Sequence, residues 1–425
     1  MFFKHFKTKS ERIDLGFKIA NRLWPILKIA ALYYRKYILR KVKFIVVIGS
    51  LGKTTTKNAI QIALGIQVSD KFISNAFGAV ALSVFKTKRS DNYKVLEVGI
   101  GMPGQMDFYG KLLTPDIVVF TLVGSDHIKE FRNVKHISDE KAKMLNYIRK
   151  DGVVFANGDD ENVMLKAKQS GVSVVSFGIG KGNNIRCTEL SVDLQRGMEC
   201  EVELKGEKIR FHTQLYNPKM IYPLLAAIGV GQFLNFKLNV VISNLEEIKP
   251  APGRMQVEII ANGAVIIGDF FKSTIDSIQP ALQMIQASLF TRVILIFGTI
   301  NYKSFQVNNE NKMSPYFSVG QQIAEIATHL IFVSEKEVDY FGGATSAGID
   351  PKNVILTNNS WLAAFKALPK DLGENDLIYI TGVTSQKLER IFLSLKGEKI
   401  NCNLKWCEMY TYCKDCVRKN TPTNE

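Results

Sequence analysis

From position 43 onward the chain alternates short apolar runs with stretches of helical periodicity. The runs at 44–48, 94–98, 116–122, 152–156 and 172–177 are rich in Val, Ile and Phe, and helical patterns fill 53–64, about 137–149 and 161–169. Strands that alternate with helices need crossover connections, which lay the strands side by side in parallel. Between 184 and 213 the period drops to two, and the segments 199–204 and 207–212 around Lys205-Gly206 predict a hairpin. Helical spacing returns at 220–234. Pro250-Ala251-Pro252-Gly253 interrupts every period and marks the main boundary. Beyond it, strands at 256–260 and 264–267 around Asn262-Gly263, a helix at 277–287 and strands at 292–297, 329–333, 353–356 and 377–380 predict a second doubly wound unit. No fixed-period repeat or low-complexity tract interrupts this plan.

The segment 15–39 reads differently. Phe17, Leu23, Trp24, Ile26, Leu27, Ile29, Leu32, Tyr33 and Tyr34 are interrupted by Lys18, Arg22, Lys28, Arg35 and Lys36. A spanning helix needs about 20 mostly uncharged residues, and the cations recur too often for that. Basic residues beside aromatic ones suit a helix lying in a membrane interface, so residues 10–40 are a candidate peripheral membrane contact. An amphipathic helix packed on the following domain is the equal alternative.

Length and charge narrow the partners. At 425 residues the chain has room for two or three domains. A formal net charge of +15 and a pI near 9.3 suit anionic partners such as nucleotides, phosphorylated substrates or anionic lipid. The charge is spread rather than blocked and no aromatic-interleaved RNA or DNA motif is present, so nucleic acid is not expected. Of six cysteines, four fall after residue 400, which argues against a disulfide framework. With no secretory signal pattern, the setting expected is cytoplasmic, with the inner membrane face as a peripheral location.

The strand 44–48 runs into Gly49-Ser50-Leu51-Gly52-Lys53-Thr54-Thr55-Thr56. A strand, a glycine turn, a lysine and hydroxyls opening a helix build a phosphate cradle. Gly49, Ser50 and Gly52 turn backbone N–H groups inward, Lys53 reaches terminal phosphates, Thr54 ligates magnesium and Thr55 follows on the same turn. The glycine spacing is tighter than the general P-loop pattern, and the three threonines point to a subfamily. The fold class expected is therefore α/β, a P-loop central domain with a mostly parallel sheet plus a C-terminal Rossmann-like α/β domain.

Three further positions join this loop. Glu97 ends the run 94–98, where a strand-end carboxylate can hold Mg2+, against the plainer reading of a charged strand residue. His127 follows the run ending at Leu122, at the edge where open α/β sheets bind ligands. Lys141 lies early in the helix that follows, where a surface lysine is the ordinary reading.

Taken together, Gly-Ser-x-Gly-Lys-Thr-Thr-Thr, Glu97, the His127 turn and Glu140-Lys141 occur in the order and approximate spacing of the Mur ligase family, and the chain resembles its MurF-type branch most closely. Pro115-Asp116, Asn157-Gly158-Asp159-Asp160 and Pro252-Gly253-Arg254 are similar landmarks, so the resemblance runs from about 43 to about 395. It implies an ATP-dependent, Mg2+-dependent ligase that forms an amide through an acyl phosphate, in peptidoglycan or related envelope-polymer synthesis. By the same resemblance Lys53 binds ATP phosphates, Thr54 and Glu97 hold one magnesium, and His127 with a carbamylated Lys141 holds a second. Arg254 and Asp269 fall at nucleotide-side positions, Asp269 near the ribose. The implied partners are a small-molecule or lipid-linked carboxylate and an amino acid or dipeptide.

Departures accompany the matches. Asn217, Lys219, Met220 and Pro223 replace the family's usual adenine-side residues, Gly268, Phe271 and Lys272 surround Asp269, and Gly298-Thr299-Ile300 and Thr381-Gly382-Val383 stand where charged motifs are common. The family's UDP-holding amino-terminal domain has no counterpart in the residues before the loop. The domains expected are 1–42, 43–250, 251–398 and a cysteine-rich tail at 399–425. In that tail Cys402, Cys407, Cys413 and Cys416 supply four thiols, the number tetrahedral zinc takes, against a reading of inert thiols. A membrane-tethered nucleotide-binding scaffold without ligation, and a ligase for capsule or polyglutamate-type substrates, are the alternative functions. A GTPase or kinase is weaker, since no Asn-Lys-x-Asp or catalytic-loop signature is present.

Overall fold

The structure is a computed structural model that describes residues 22–68, 77–124, 133–271, 273–301, 314–409, 411–416 and 418–421. It divides into two compact units, the first comprising Met1–Val192, Gly197–Gln214 and Pro218–Lys249, the second Asp193–Arg196, Leu215–Asn217 and Pro250–Glu425.

The first unit is built on an eight-stranded sheet of order β2-β1-β3-β4-β5-β6-β7-β8. Its strands are β1 Lys43–Ile48, β2 Tyr93–Glu97, β3 Ile117–Phe120, β4 Val153–Asn157, β5 Ser173–Gly178, β6 Ile185–Asp193, β7 Gly197–Leu204 and β8 Glu207–Thr213. The pairs from β2 to β6 are parallel, whereas β7 and β8 form an antiparallel hairpin. Lys205 and Gly206 turn that hairpin with φ of 52° and 83°, as its short Lys-Gly connection demands. β3 and β4 are buried at every position, which is why they read as unbroken apolar runs.

Alternation still sorts the two faces. Phe44, Val46, Ile48, Val118, Phe120, Val154 and Ala156 share one core with side chains of helices Trp24–Tyr33, Phe77–Phe85, Gln105–Leu113, Val134–Ala142 and Glu161–Gln169. Helix Ile221–Phe233 covers the other face, where a Cβ on Gly229 would lie 2.7 Å from Phe155. Where the sequence suggests only a turn after β2, the structure forms helix Gln105–Leu113. Its apolar side rests on Met106, Tyr109, Leu112 and Leu113, too few positions for a periodic signal to stand out.

The helix Trp24–Tyr33 passes into a π-helical turn at Tyr34–Ile38 and is part of this unit's core. Arg35 anchors it. Its side chain is 1 % exposed, Nε donates to Leu113 O at 2.8 Å, Nη1 to Leu39 O at 2.9 Å and Nη2 to Thr114 O at 3.0 Å. The guanidinium also lies 3.9 Å from the Phe44 ring centroid and 3.5 Å from Asp116 Oδ2. Leu113 ends its helix, so Arg35 satisfies a carbonyl that has no partner along the helix. Burial, with Arg149 nearby, lowers the guanidinium to about 10 against the pull of Asp116, and it stays charged at neutral pH.

The second unit holds a six-stranded sheet of order β13-β12-β11-β14-β10-β9, in which β9 Gln256–Ile259 pairs antiparallel with β10 Val265–Asp269. The others, β11 Arg292–Gly298, β12 His329–Val333, β13 Val354–Leu356 and β14 Asp376–Thr381, are parallel. Val265, Ile267, Leu295, Phe297 and Tyr379 face one core, and Ile266, Ile294, Ile296, Ile378 and Ile380 the other. The cysteine tail packs on this unit: Trp361 Nε1 donates to Cys402 O at 3.1 Å, Cys407 N to Ser385 O at 2.7 Å and Lys387 Nζ to Thr411 O at 3.1 Å. The zinc expectation is corrected here. Among the described residues no three His, Cys, Asp or Glu side chains gather as metal ligands, the four tail thiols included. Backbone hydrogen bonds hold the tail instead, and burial pushes the Cys413 thiol up to about 12, leaving it a protonated apolar group.

Replacing Arg35 by Ala strands the carbonyls of Leu39, Leu113 and Thr114 in a buried site, and urea unfolding is expected to show a loss of about 3 kcal/mol. A change within about 0.5 kcal/mol would mean the helix is not held by this side chain.

Candidate active site

The phosphate loop leaves the carboxyl end of β1, a strand flanked on both sides by parallel neighbours. Gly49 takes φ of 141°, and a Cβ there would lie 2.0 Å from Thr121 Oγ1. Only glycine fits. Thr121 lies just past β3, and its hydroxyl reaches the carbonyls of Ile48 at 3.1 Å and Leu51 at 2.7 Å, while Ser50 N donates to Leu122 O at 2.6 Å. The loop is therefore pinned to the end of the next strand. Gly52, at φ 79°, opens helix Lys53–Ala63 with no side-chain cap and no acidic residue in the first turn. The first N–H groups of that helix are open toward an anion.

Two lysines meet at one atom of this loop. Lys53 Nζ donates to Gly49 O at 3.0 Å and to Ser50 O at 2.9 Å, and Lys141 Nζ donates to the same Gly49 O at 2.8 Å. Lys141 is 1 % exposed, so the surface-lysine reading of the sequence is replaced by a buried one. Its neighbour Glu140 points elsewhere, accepting from Met106 N at 3.1 Å and pairing with Lys143 at 2.7 Å. Asn133 starts this helix by accepting from His136 N, which sets the rotation that turns Lys141 inward.

Glu97 ends β2 directly beside the loop. It is in register with Val47, and the following Val98 N donates to Val47 O at 3.0 Å. The carboxylate is buried and its Oε2 has no hydrogen-bond partner. A buried carboxylate oxygen without a donor is costly, and an oxygen-preferring divalent cation is the partner that fits it. Thr54 and Thr55 occupy the first turn of the helix, half-buried, where Thr54 can supply a hydroxyl to the same cation. His127 lies outside the described residues.

Asp160 braces the site, a role not apparent from sequence. Oδ2 accepts from Val123 N at 2.8 Å and Oδ1 from Val163 N at 3.1 Å, so one carboxylate caps helix Glu161–Gln169 and fixes the segment after β3. Its place at the start of a helical pattern was the available signal.

Arg254 and Asp269 belong to the second unit. Asp269 accepts from Tyr379 Oη at 3.0 Å and from Met255 N at 3.2 Å, and the Arg254 guanidinium lies 4.4 Å from the Phe271 ring centroid. Burial raises the Asp269 carboxyl from 3.8 to about 6, with the Tyr379 and Met255 hydrogen bonds and then Arg254 pulling the other way.

A glycine loop entering a helix from the carboxyl end of a parallel sheet, with a lysine inside it and an unpaired strand-end carboxylate beside it, defines a P-loop α/β protein. The Mur ligase middle domain matches residues 47–231. Among curated proteins, the UDP-N-acetylmuramoyl-tripeptide--D-alanyl-D-alanine ligase of Bacillus subtilis is 23% identical over 82% of this chain and 75% of its own length. The UDP-N-acetylmuramate--L-alanine ligase of Clostridium acetobutylicum is 28% identical over 55% of this chain, which spans about half (51%) of that relative. Two solved structures share the fold: MurF from Acinetobacter baumannii, with a TM-score of 0.75, 18% identity and coverage of 88% of this chain and 81% of that one, and MurF ligase from Thermotoga maritima in complex with ADP, with 0.71, 18%, 88% and 84%. Residues 47–231 thus carry the Mur ligase middle domain, and over most of its length the chain is similar in sequence and fold to MurF-type ligases.

Gly49→Ala is expected to abolish ATP binding in a fluorescent-nucleotide titration and to lower stability by about 2 kcal/mol or more, through the clash with Thr121. Binding within about twofold of wild type would show that the loop tolerates a Cβ. For Asp269, the folded state keeps a proton between pH 4 and 6 that the unfolded chain releases, so stability falls as pH rises through that window. Relative to Asp269→Asn, wild type should lose on the order of 2 kcal/mol between pH 4 and 7 in urea titrations, and parallel profiles would contradict this.

Proposed function

We propose that this protein is an ATP-dependent ligase that activates a carboxylate as an acyl phosphate and joins it to an amine, forming an amide in the assembly of peptidoglycan or a related envelope polymer. The observation that carries the reading is the buried, partnerless Oε2 of Glu97 beside a glycine loop whose carbonyl already gathers two lysines. The names of the relatives support the reaction class. One neighbouring structure holds ADP, which supports ATP as the nucleotide.

ATP supplies the phosphoryl group that activates the carboxylate, and Mg2+ offsets the charge that develops on it. The chain's part is to hold and orient. Gly49 to Gly52 present backbone N–H groups, and the open start of helix Lys53–Ala63 adds its positive end. Lys53 would turn from the loop carbonyls to the terminal phosphates. Thr54 and Glu97 would hold one cation, and His127 and Lys141, by the family resemblance, a second. The two ammonium groups of Lys53 and Lys141 share one acceptor, so they stand no farther apart than the two bonds combined. A carbamate on Lys141, which the family resemblance implies, would reverse its sign and add metal-binding oxygens.

The carboxylate substrate is a small molecule or is carried on a lipid, and the amine is an amino acid or dipeptide. Retention of Lys53, Thr54 and Glu97 together disfavours a scaffold that has lost ligation. Purified protein with ATP, Mg2+ and a panel of peptide and lipid-linked carboxylates should release phosphate only with an accepted carboxylate. Lys53→Ala should cut that release at least about a hundredfold. Release undiminished in Lys53→Ala, or ATP binding without turnover across the panel, would reject the ligase reading.

A further inference from the structure

Helix Trp24–Tyr33 is apolar on both of its faces. Inward, Trp24, Leu27, Ala31, Leu32 and Tyr34 pack on the first unit's core. Outward, Ile26 is 69 % exposed, Ile29 71 %, Tyr33 63 % and Tyr37 52 %, at spacings of three and four that place them on one stripe. Every exposed position from 23 to 33 is apolar or aromatic: Leu23, Pro25, Ile26, Ile29, Ala30 and Tyr33. An ordinary surface helix reverses this pattern, with its polar residues turned outward.

The charges sit at the ends and flank of the stripe, and all of them are positive. Arg22, Lys36, Arg40 and Lys41 are exposed, and Lys28 lies 4.4 Å over the ring of Phe108, itself exposed. No Asp or Glu occurs between residues 15 and 69. Apolar and aromatic side chains on one outward stripe, with only cations among the charges of its own segment, match the chemistry of an anionic bilayer: hydrocarbon below, phosphate at the level of the cations. No helix among the described residues is long and apolar enough to cross a membrane, so the stripe can lie on one but not span it. The Arg35 bonds and Tyr34, whose Oη donates to Thr87 O at 3.1 Å, hold the helix in place, so little ordering cost is left to binding.

We infer that the stripe Ile26, Ile29, Tyr33 and Tyr37 docks the protein on an anionic lipid surface, its apolar side chains entering the headgroup boundary while Arg22, Lys36, Arg40 and Lys41 meet lipid phosphates. The inference rests on and deepens the proposed function, since docking on a lipid surface brings the enzyme to a lipid-carried carboxylate. The binding itself stands apart from catalysis.

The test is co-sedimentation of the full chain with vesicles of phosphatidylglycerol and phosphatidylcholine, against phosphatidylcholine alone, at low and raised salt. Wild type should sediment with the anionic vesicles and be partly released by salt. The double variant Ile26→Glu, Ile29→Glu should bind at least about tenfold more weakly, with an unchanged circular dichroism melt. Its phosphate release in vesicle-free solution should match wild type. Equal binding by the variant, or no binding of wild type to either vesicle, overturns the inference. So does a dimer in light scattering that the variant abolishes, which would assign the stripe to a second copy. Vesicle binding without phosphate release would sink the ligase reading and leave the docking intact.

Discussion

The carbonyl oxygen of Gly49 is the point on which the site depends. It accepts from the ammonium groups of two lysines distant in sequence, and the Cα that carries it lies against Thr121 with no space for a side chain. Those contacts link β1, the start of the following helix, the end of β3 and the helix that bears Lys141. The loop is thereby shaped before any ligand arrives, which lowers the ordering cost of binding a triphosphate. β2 ends beside this loop at Glu97, a buried carboxylate that has an oxygen to spare. An anion bridged by divalent cations is the ligand such a charge arrangement accommodates.

The rest of the first unit serves this edge of the sheet. Parallel pairing brings the ends of β1, β2 and β3 together, so Val47, Glu97 and Thr121 become neighbours although they are far apart along the chain. Arg35 performs a similar service at the opposite end of the strands, satisfying carbonyls of Leu113 and Thr114 and binding an amino-terminal helix to the sheet. That helix presents apolar side chains outward on a rigid base. The phosphate loop and this outward apolar stripe are thus carried by one unit. In the second unit the departures at Gly268, Phe271, Gly298 and Thr381 leave a largely uncharged set of strand ends, knit by Ser273, Thr381 and Gln386.

Much of the parallel architecture was legible because buried strands announce themselves as apolar runs and the glycine loop has no other common use. Helix Glu161–Gln169 and the Lys205-Gly206 hairpin fall where periodicity placed them. Short helices such as Gln105–Leu113 were not legible, since a single buried side in nine residues gives too few repeats. Lys141 read as a surface residue because its burial depends on a contact with Gly49 that no local pattern encodes. Arg35 read as one of several interrupting cations for the same reason. The tail thiols misled in the other direction: their spacing suggested ligands, yet tertiary packing separates them, and backbone contacts do the holding. His127 falls outside the described residues, so its part in the site rests on the resemblance.

The central claim is that Glu97 and the loop from Gly49 to Thr55 form one divalent-cation and triphosphate site. Electron paramagnetic resonance of Mn2+ titrated into the protein with and without a nonhydrolysable ATP analogue tests it most directly, with Glu97→Gln as the control. The account predicts tight Mn2+ binding that requires the nucleotide in wild type and weakens at least about tenfold in the variant. Mn2+ bound equally well by Glu97→Gln, or independently of the nucleotide, would contradict it.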